Sequence, residues 1–321
     1  MRESLGYQMR TTSIWIALWN PVFRRLWLAS VLSGCFVSAH DMAATWVMNT
    51  LTPSPLLLSL LSTAASLPFF LLGFPAGALA DMMDRKKLLC GINLWLALVA
   101  GSLAILGWLH LLNPWVILGA VFLLGVGFAC NAPAWTSVVP QVVVKEELAS
   151  AVTLGGVQMN LCCIIGPAIG GILLPLIGAN ALFALNSAGF LIIMIAIKRW
   201  HQEATQPKMP LKSILESFGG AVRYVLYTRG IQVLLVRVFL FALLISVIPA
   251  LLPVVGLKAL HLSSSGLGLL FTTMAIGSLV GAVLVIPLAR EHSVIDRLYS
   301  LTQSGARTTL GEAGSHRDSG S

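Results

Sequence analysis

Long apolar runs separated by short polar breaks occupy most of the 321-residue chain. A helix that crosses a bilayer needs about 20 mainly apolar residues, and its backbone groups must pair within the helix itself. The pattern therefore predicts membrane-spanning helices. Eight runs are long enough: Leu26–Leu51, Leu56–Ala80, Leu88–Leu112, Trp115–Val139, Leu148–Ile177, Ala179–Ile197, Ile231–Leu252 and Leu267–Leu288.

Polar stretches divide these spans into segments. Lys and Arg precede the first span and follow the second, fourth and sixth spans, which predicts a cytoplasmic N-terminus by the positive-inside rule. The pattern predicts a cytoplasmic segment over 1–25, six spans over 26–199 and a cytoplasmic connector with an amphipathic helix over 200–230. Two further spans follow over 231–289. The Gly, Ser and Thr bias of residues 290–321 is typical of a disordered tail.

Composition supports a membrane protein and excludes several other classes. The chain is 57% hydrophobic and 10% charged, whereas soluble domains carry about 25% charged residues. The net charge of +8 arises in short loops, so it indicates membrane topology and not a nucleic-acid surface. The chain has no metal-ligand spacing among its five cysteines, no Ser–His arrangement and no phosphate-binding loop. We therefore predict no enzyme, no ATP-driven pump and no cofactor.

The second and third spans are joined by a short charged turn over residues 77–89. Its length places two membrane helices back to back, with Gly77 permitting close approach, Asp81 ending one helix and Arg85 and Lys86 opening the next. The turn resembles the loop motif G-x-L-a-D-r-x-G-r-k-x-x-l of the major facilitator superfamily. The motif positions are filled by Gly77, Leu79, Asp81, Arg85, Lys86 and Leu89, while Met82 replaces the usual Arg and Asp84 the usual Gly.

The resemblance implies that this turn acts as a conformational latch made of Gly77, Asp81, Arg85 and Lys86. In the superfamily, the motif Asp interacts with the following Arg and with the start of an eleventh helix when the inner side is closed. Those roles would fall to Asp81 and Arg85. The residues alone also permit a simpler interpretation, in which Asp81 terminates a helix and the basic residues follow the positive-inside rule.

A second motif lies in the fifth span, where residues 160–171 read NLCCIIGPAIGG. It resembles the G-x-x-x-G-P-x-x-G-G signature of superfamily antiporters, with Cys162 where the first Gly is usual. Small residues let helices approach closely, and Pro167 bends the helix. The resemblance implies that Gly166, Pro167, Gly170 and Gly171 pack this helix against the eighth span. Ordinary small-residue packing is the alternative.

Further runs in the first, second and sixth spans are similar to the enterobactin-exporter branch of the superfamily. Examples are Leu26–Ser30 and Leu67–Phe70. The implied fold is all-α, a polytopic membrane bundle with the superfamily's N-terminal six-helix half and about two helices of the second half. The implied function is proton-driven export of a siderophore or hydrophobic drug across a bacterial plasma membrane.

Asp41 is the strongest candidate for chemistry, because a carboxylate past the middle of a span is costly in hydrocarbon. It would take and release a proton, with the adjacent His40 as an accessory group, or it would be a solvated carboxylate near the outer mouth. Asn160 is a candidate for substrate contact. It belongs to a set of span amides that otherwise form interhelical hydrogen bonds: Asn93, Asn131, Gln158, Asn160 and Asn186.

A superfamily member would supply four more spans after Arg290, so the sequence predicts a truncated or frameshifted transporter that is inactive alone. The faces left uncovered would favour self-association or a partner protein. The alternative function is therefore a non-transporting membrane module that binds a partner. The expected partners are lipid, protons and a small amphipathic substrate.

Overall fold

A computed structural model describes residues 15–200 and 227–291, in which all regular structure is helical and no β-strand occurs. A 3₁₀ helix, Ile16–Trp19, precedes the first long helix. The long helices are α1 (Pro21–Leu51), α2 (Pro55–Met82), α3 (Arg85–Trp108), α4 (Pro114–Val142), α5 (Leu148–Arg199), α6 (Arg229–Val254) and α7 (Ser264–Glu291). Short helical turns, Lys145–Glu147 and Val255–Ala259, precede α5 and follow α6.

Helix α5 contains two of the predicted spans. Its 52 residues would extend about 78 Å if they were continuous, more than twice the hydrocarbon thickness of about 30 Å. The helix breaks at Gly178, whose φ of 81° lies in the left-handed region that favours glycine. We call residues 148–177 the first arm of α5 and residues 179–199 the second arm. The eight predicted spans thus correspond to seven long helices in the described part of the chain.

All seven helices are long and apolar enough to cross a membrane, so this is an integral membrane protein. The predicted helical bundle is confirmed. Helix α1 packs along α5, α3 packs against α5, and α2 packs against α4. The core between them includes the fully buried side chains of Met42, Met48, Leu96, Leu103 and Phe183.

Asn20 joins two helix ends at one edge of the bundle. Its Oδ1 accepts hydrogen bonds from the backbone N–H groups of Val22 and Phe23 and so caps α1. The helix therefore begins five residues before the predicted start of the span. Its Nδ2 donates to the carbonyl oxygen of Val142 at 2.8 Å and so satisfies the C-terminus of α4.

The chain divides into two compact units, Met1–Thr273 and Met274–Ser321. Every contact described below lies within the first unit. Residues 1–14, 201–226 and 292–321 lie outside the described residues, and they include most of the predicted N-terminal segment, connector and tail. The proposed segment boundaries at 25, 199, 230 and 289 stay predictions.

Candidate functional site

The Gly-Pro motif places the first arm of α5 in backbone contact with α1. A methyl group on Gly166 would lie 2.8 Å from the carbonyl oxygen of Cys35, and one on Gly170 would lie 3.1 Å from the Cα of Ala39. Carbon atoms pack no closer than about 3.5 Å, so neither position has room for a side chain. These two glycines therefore set the spacing between α1 and α5.

Gly171 faces a different helix, the start of α7. A methyl group on Gly171 would lie 3.2 Å from the Cα of Gly268, and one on Gly268 would lie 2.6 Å from the carbonyl oxygen of Pro167. The two backbones therefore cross in direct contact. Helix α5 thus packs on α7 through Gly171, with Gly268 as the small residue of α7 at the contact. The expectation that Gly166 and Gly170 also pack against the eighth span is wrong, because both face α1.

Two side chains of α7 donate hydrogen bonds to backbone carbonyls of α5 at this crossing. Pro175 has no N–H group, so the carbonyl of Gly171 lacks its usual helical donor four residues later. The Ser265 hydroxyl donates to that carbonyl at 2.9 Å. The Thr272 hydroxyl donates to the carbonyl of Ile164 at 3.1 Å. These bonds hold α7 to α5 on both sides of the Gly171–Gly268 contact.

Cys162 departs from the antiporter signature, and Gly34 of α1 accommodates it. A methyl group on Gly34 would collide with the Sγ of Cys162. The same thiol donates to the carbonyl oxygen of Val31 at 3.4 Å. The glycine that the signature places on α5 is thus exchanged for a glycine on α1. All five cysteines are free thiols.

This contact predicts that substitutions of Gly34 and Cys162 have non-additive effects on the free energy of unfolding. Gly34→Ala alone should lower the free energy of unfolding by about 1–3 kcal/mol, because the added methyl group overpacks the contact. Adding Cys162→Gly should recover about 1 kcal/mol or more in a double-mutant cycle, measured by unfolding of the detergent-solubilised protein. Strictly additive effects of the two substitutions would contradict this contact.

In the charged turn, the acidic residue that caps a helix is Asp84. Its carboxylate accepts the backbone N–H of Lys87 at 3.0 Å and caps the start of α3. Arg85 Nη1 donates to the carbonyl oxygen of Ser137 at 3.0 Å, and Lys86 Nζ donates to that of Trp200 at 2.6 Å. The two cations thus lie at the C-terminal ends of α4 and α5, where the helix dipole favours positive charge.

The structure corrects one expectation for this turn and leaves another as a prediction. A methyl group on Gly77 would meet no atom of the described residues within 4 Å, so no helix in that part of the chain makes the predicted close backbone approach at Gly77. Gly77 lies in α2 before its last turn and leaves open space on that side. Asp81 lies in the last turn of α2, which ends at Met82. Its side chain lies outside the described residues, and the latch role stays a prediction.

Asp41 and His40 lie on different sides of α1, since consecutive helical residues point about 100° apart. Asp41 is exposed, and its carboxylate makes no hydrogen bond or ion pair with another described residue. Cys163, on the first arm of α5, is exposed as well. Asn160 lies one turn before Cys163 and is also exposed. Asp41 on α1 and Asn160 and Cys163 on α5 are thus exposed residues of one packed helix pair. We call the surface that carries them the open face.

His40 instead lies in a buried seam between α1 and the second arm of α5. Its ring packs on Phe183 at 4.7 Å between centroids, and Ser33 packs on Gly189 two helical turns away. Asn186 lies between these two contacts on α5. Both nitrogens of His40, the Oγ of Ser33 and both amide atoms of Asn186 are buried without a hydrogen-bond partner among the described residues.

The amides expected to bond across helices include two that bond within their own helix. Asn93 Nδ2 donates to the carbonyl of Leu89 and Asn160 Nδ2 to that of Gly156, each at 2.8 Å. The interhelical prediction is therefore wrong for these two residues, because a short amide reaches the carbonyl four residues earlier on its own helix.

Comparison with known proteins identifies the family. The model of a family described as transmembrane secretion effector, of the MFS type, matches residues 12–310. Macrolide efflux protein A of Streptococcus pyogenes is 24% identical over 269 residues, which are 83% of this chain and 66% of that protein. The staphyloferrin A transporter of Staphylococcus aureus is 27% identical over 82% of this chain and 66% of its own length.

The enterobactin exporter EntS of Citrobacter koseri is 27% identical over 298 residues, 89% of this chain and 67% of that protein. The chain thus spans about two thirds of the length of the curated relatives that it matches. These relatives are named as efflux, transport or export proteins and not as enzymes. The chain belongs to the transmembrane secretion effector family of the major facilitator superfamily.

Proposed function

We propose that this protein exports a small amphipathic molecule across a bacterial plasma membrane in exchange for protons, by alternating access. The substrate class is a siderophore or a hydrophobic drug. The names of its relatives support this class, since they include a macrolide efflux protein, a staphyloferrin A transporter and an enterobactin exporter. The N-terminus is assigned to the cytoplasm, in line with the distribution of Lys and Arg.

The observation that carries the proposal is the backbone crossing of α5 and α7 at Gly171 and Gly268. Under the two-half plan, α5 belongs to the first half of the transporter and α7 to the second. Alternating access requires the halves to rock about a fixed contact. A crossing without intervening side chains suits such a pivot, because no interdigitated side chains need to repack as the helices turn.

A second contact joins the two predicted halves at the end of α1. Lys258, in the short helical turn after α6, donates from Nζ to the carbonyl oxygen of Thr52 at 3.3 Å. This single hydrogen bond is easily broken compared with the crossing of α5 and α7. We assign it to a gate that closes the end of the bundle opposite the basic loops and opens in the other state.

Asp41 is proposed to carry the proton. It lies 20 residues, about 30 Å, from the start of α1 and about 15 Å from its end, within the span. An unpaired carboxylate there favours a water-filled path on the open face, because hydrocarbon would penalise its charge. Asn160 lies on the same face and is proposed to contact substrate. His40 acts from the buried seam as an accessory group.

The transport proposal differs from the expectation of a chain that is inactive alone. Reconstituting the full chain in liposomes that contain a pH-sensitive dye tests one against the other. With an imposed proton gradient, radiolabelled erythromycin should move against its concentration gradient, and its addition should release protons measurably above empty liposomes. Movement of neither erythromycin nor a catecholate siderophore, by a stably inserted protein, would favour the alternative of a membrane module that binds a partner.

A further inference from the structure

A groove of about 660 Å³ separates the N-terminal end of α1 from the C-terminal end of α5. Its walls are mostly apolar and come from these two helices. Leu28 and Leu32 form the wall on α1, and Ile192 and Ile195 form the wall on α5. Each of these four side chains is exposed, Leu28 to 55%, so the described part of the chain leaves the groove open. In a bilayer, such apolar walls face hydrocarbon.

The end of the groove carries two arginines, one on each helix. Arg25 lies in the first turns of α1, and Arg199 is the last residue of α5. Neither guanidinium makes a hydrogen bond or ion pair with another described residue, and none of the lining residues is acidic. Trp200 closes this end with a buried side chain. The groove thus offers two unpaired cations beside an aromatic residue of the kind found at membrane interfaces.

The two walls extend from the arginines over the same length. On α1, Leu28 and Leu32 lie three and seven residues from Arg25, about 5 and 10 Å along the helix. On α5, Ile195 and Ile192 lie four and seven residues from Arg199, about 6 and 10 Å along the helix. A ligand that fits this site carries its negative charge at one end and an alkyl chain of at least 10 Å below it.

We propose that this groove binds an anionic phospholipid, with its phosphate between Arg25 and Arg199 and an acyl chain along the leucine and isoleucine walls. Guanidinium groups bind phosphate oxygens through paired hydrogen bonds, and basic pockets between membrane helices bind anionic headgroups. The site faces the membrane and uses none of the residues assigned to transport. The inference therefore stands independently of the proposed function.

Native mass spectrometry of the full chain tests the site. The protein is released from nanodiscs of equal parts phosphatidylglycerol and phosphatidylcholine, and the retained lipids are counted. The wild type should retain phosphatidylglycerol over phosphatidylcholine by about thirtyfold, as expected for two basic side chains that each contribute about 1 kcal/mol near a headgroup. The double variant Arg25→Gln/Arg199→Gln should retain the two lipids about equally.

The matched control is Arg24→Gln/Lys87→Gln, which removes the same charge from exposed residues that do not line the groove. It should keep the wild-type preference. Melting temperatures in pure phosphatidylcholine check that both double variants fold. Three results would overturn the site: no phosphatidylglycerol preference in the wild type, an unchanged preference in Arg25→Gln/Arg199→Gln, or an equal loss in the control. The first of these is also the result expected if another segment of this chain fills the groove.

Discussion

Replacing Gly166 with leucine is expected to remove folded protein from the membrane. A side chain at this position begins 2.8 Å from the carbonyl oxygen of Cys35, which is backbone and has no flexible end to move aside. Overpacking of this kind costs about 3 kcal/mol, and here it also separates the most extensive helix pair of the bundle, α1 and α5. The yield of monodisperse protein and its melting temperature in detergent measure the effect.

Gly155→Leu is the matched control, because Gly155 is exposed on the same arm of α5 and a methyl group there would meet no atom of the described residues within 4 Å. It should change the free energy of unfolding by no more than about 0.5 kcal/mol. If Gly166→Leu matched Gly155→Leu in yield and melting temperature, the assigned contact between α1 and α5 would be wrong.

Asp41→Asn is expected to abolish proton-coupled export while the protein stays inserted and folded. Asparagine keeps the shape of the side chain, but its amide neither gains nor loses a proton at the pH values at which a carboxylate does. Removing a charge from the span also removes a cost of insertion, so the protein level should not fall. Substrate-dependent proton movement in liposomes should drop at least about tenfold, as for loss of an essential acid–base group.

Glu146→Gln serves as the control for Asp41→Asn, since Glu146 is an exposed acid in the short turn before α5. Its flux should equal that of the wild type. Unchanged proton movement in Asp41→Asn across the pH range would exclude Asp41 from coupling. Asp41 would then be interpreted as a solvated carboxylate near the outer mouth.

The spans were predictable because a bilayer imposes length and composition on each helix. The predicted starts and ends of the helices differ from the structure mainly where a local capping residue or turn determines where a helix begins or ends. Asn20 starts α1 earlier than the apolar run does, and α3 ends at Trp108, two residues before the positive φ of His110. The family was also predictable, since the turn over 77–89 and the Gly-Pro motif each match a family motif at several residues with fixed spacing. The match to the family model confirms this prediction.

Contacts between distant residues were harder to predict. Nothing near Gly34 in the sequence indicates that it accommodates Cys162, because that depends on the register of α1 against α5. The bond from Ser265 had a local signal on one side only: Pro175 leaves the carbonyl of Gly171 without a donor. The sequence also did not separate the buried His40 from the exposed Asp41, since both neighbours lie in one apolar run.

The crossing of α5 and α7 is the proposed pivot of transport. It is tested most directly by cross-linking Ile164→Cys to Thr272→Cys, in a background whose five natural cysteines are alanine. A short, reducible bifunctional thiol reagent forms the link. Linking Thr52→Cys to Lys258→Cys at the proposed gate is the comparison. We expect export to continue with the pivot linked, to stop with the gate linked, and to resume there on reduction. Export that stops with the pivot linked and resumes on reduction would contradict this expectation.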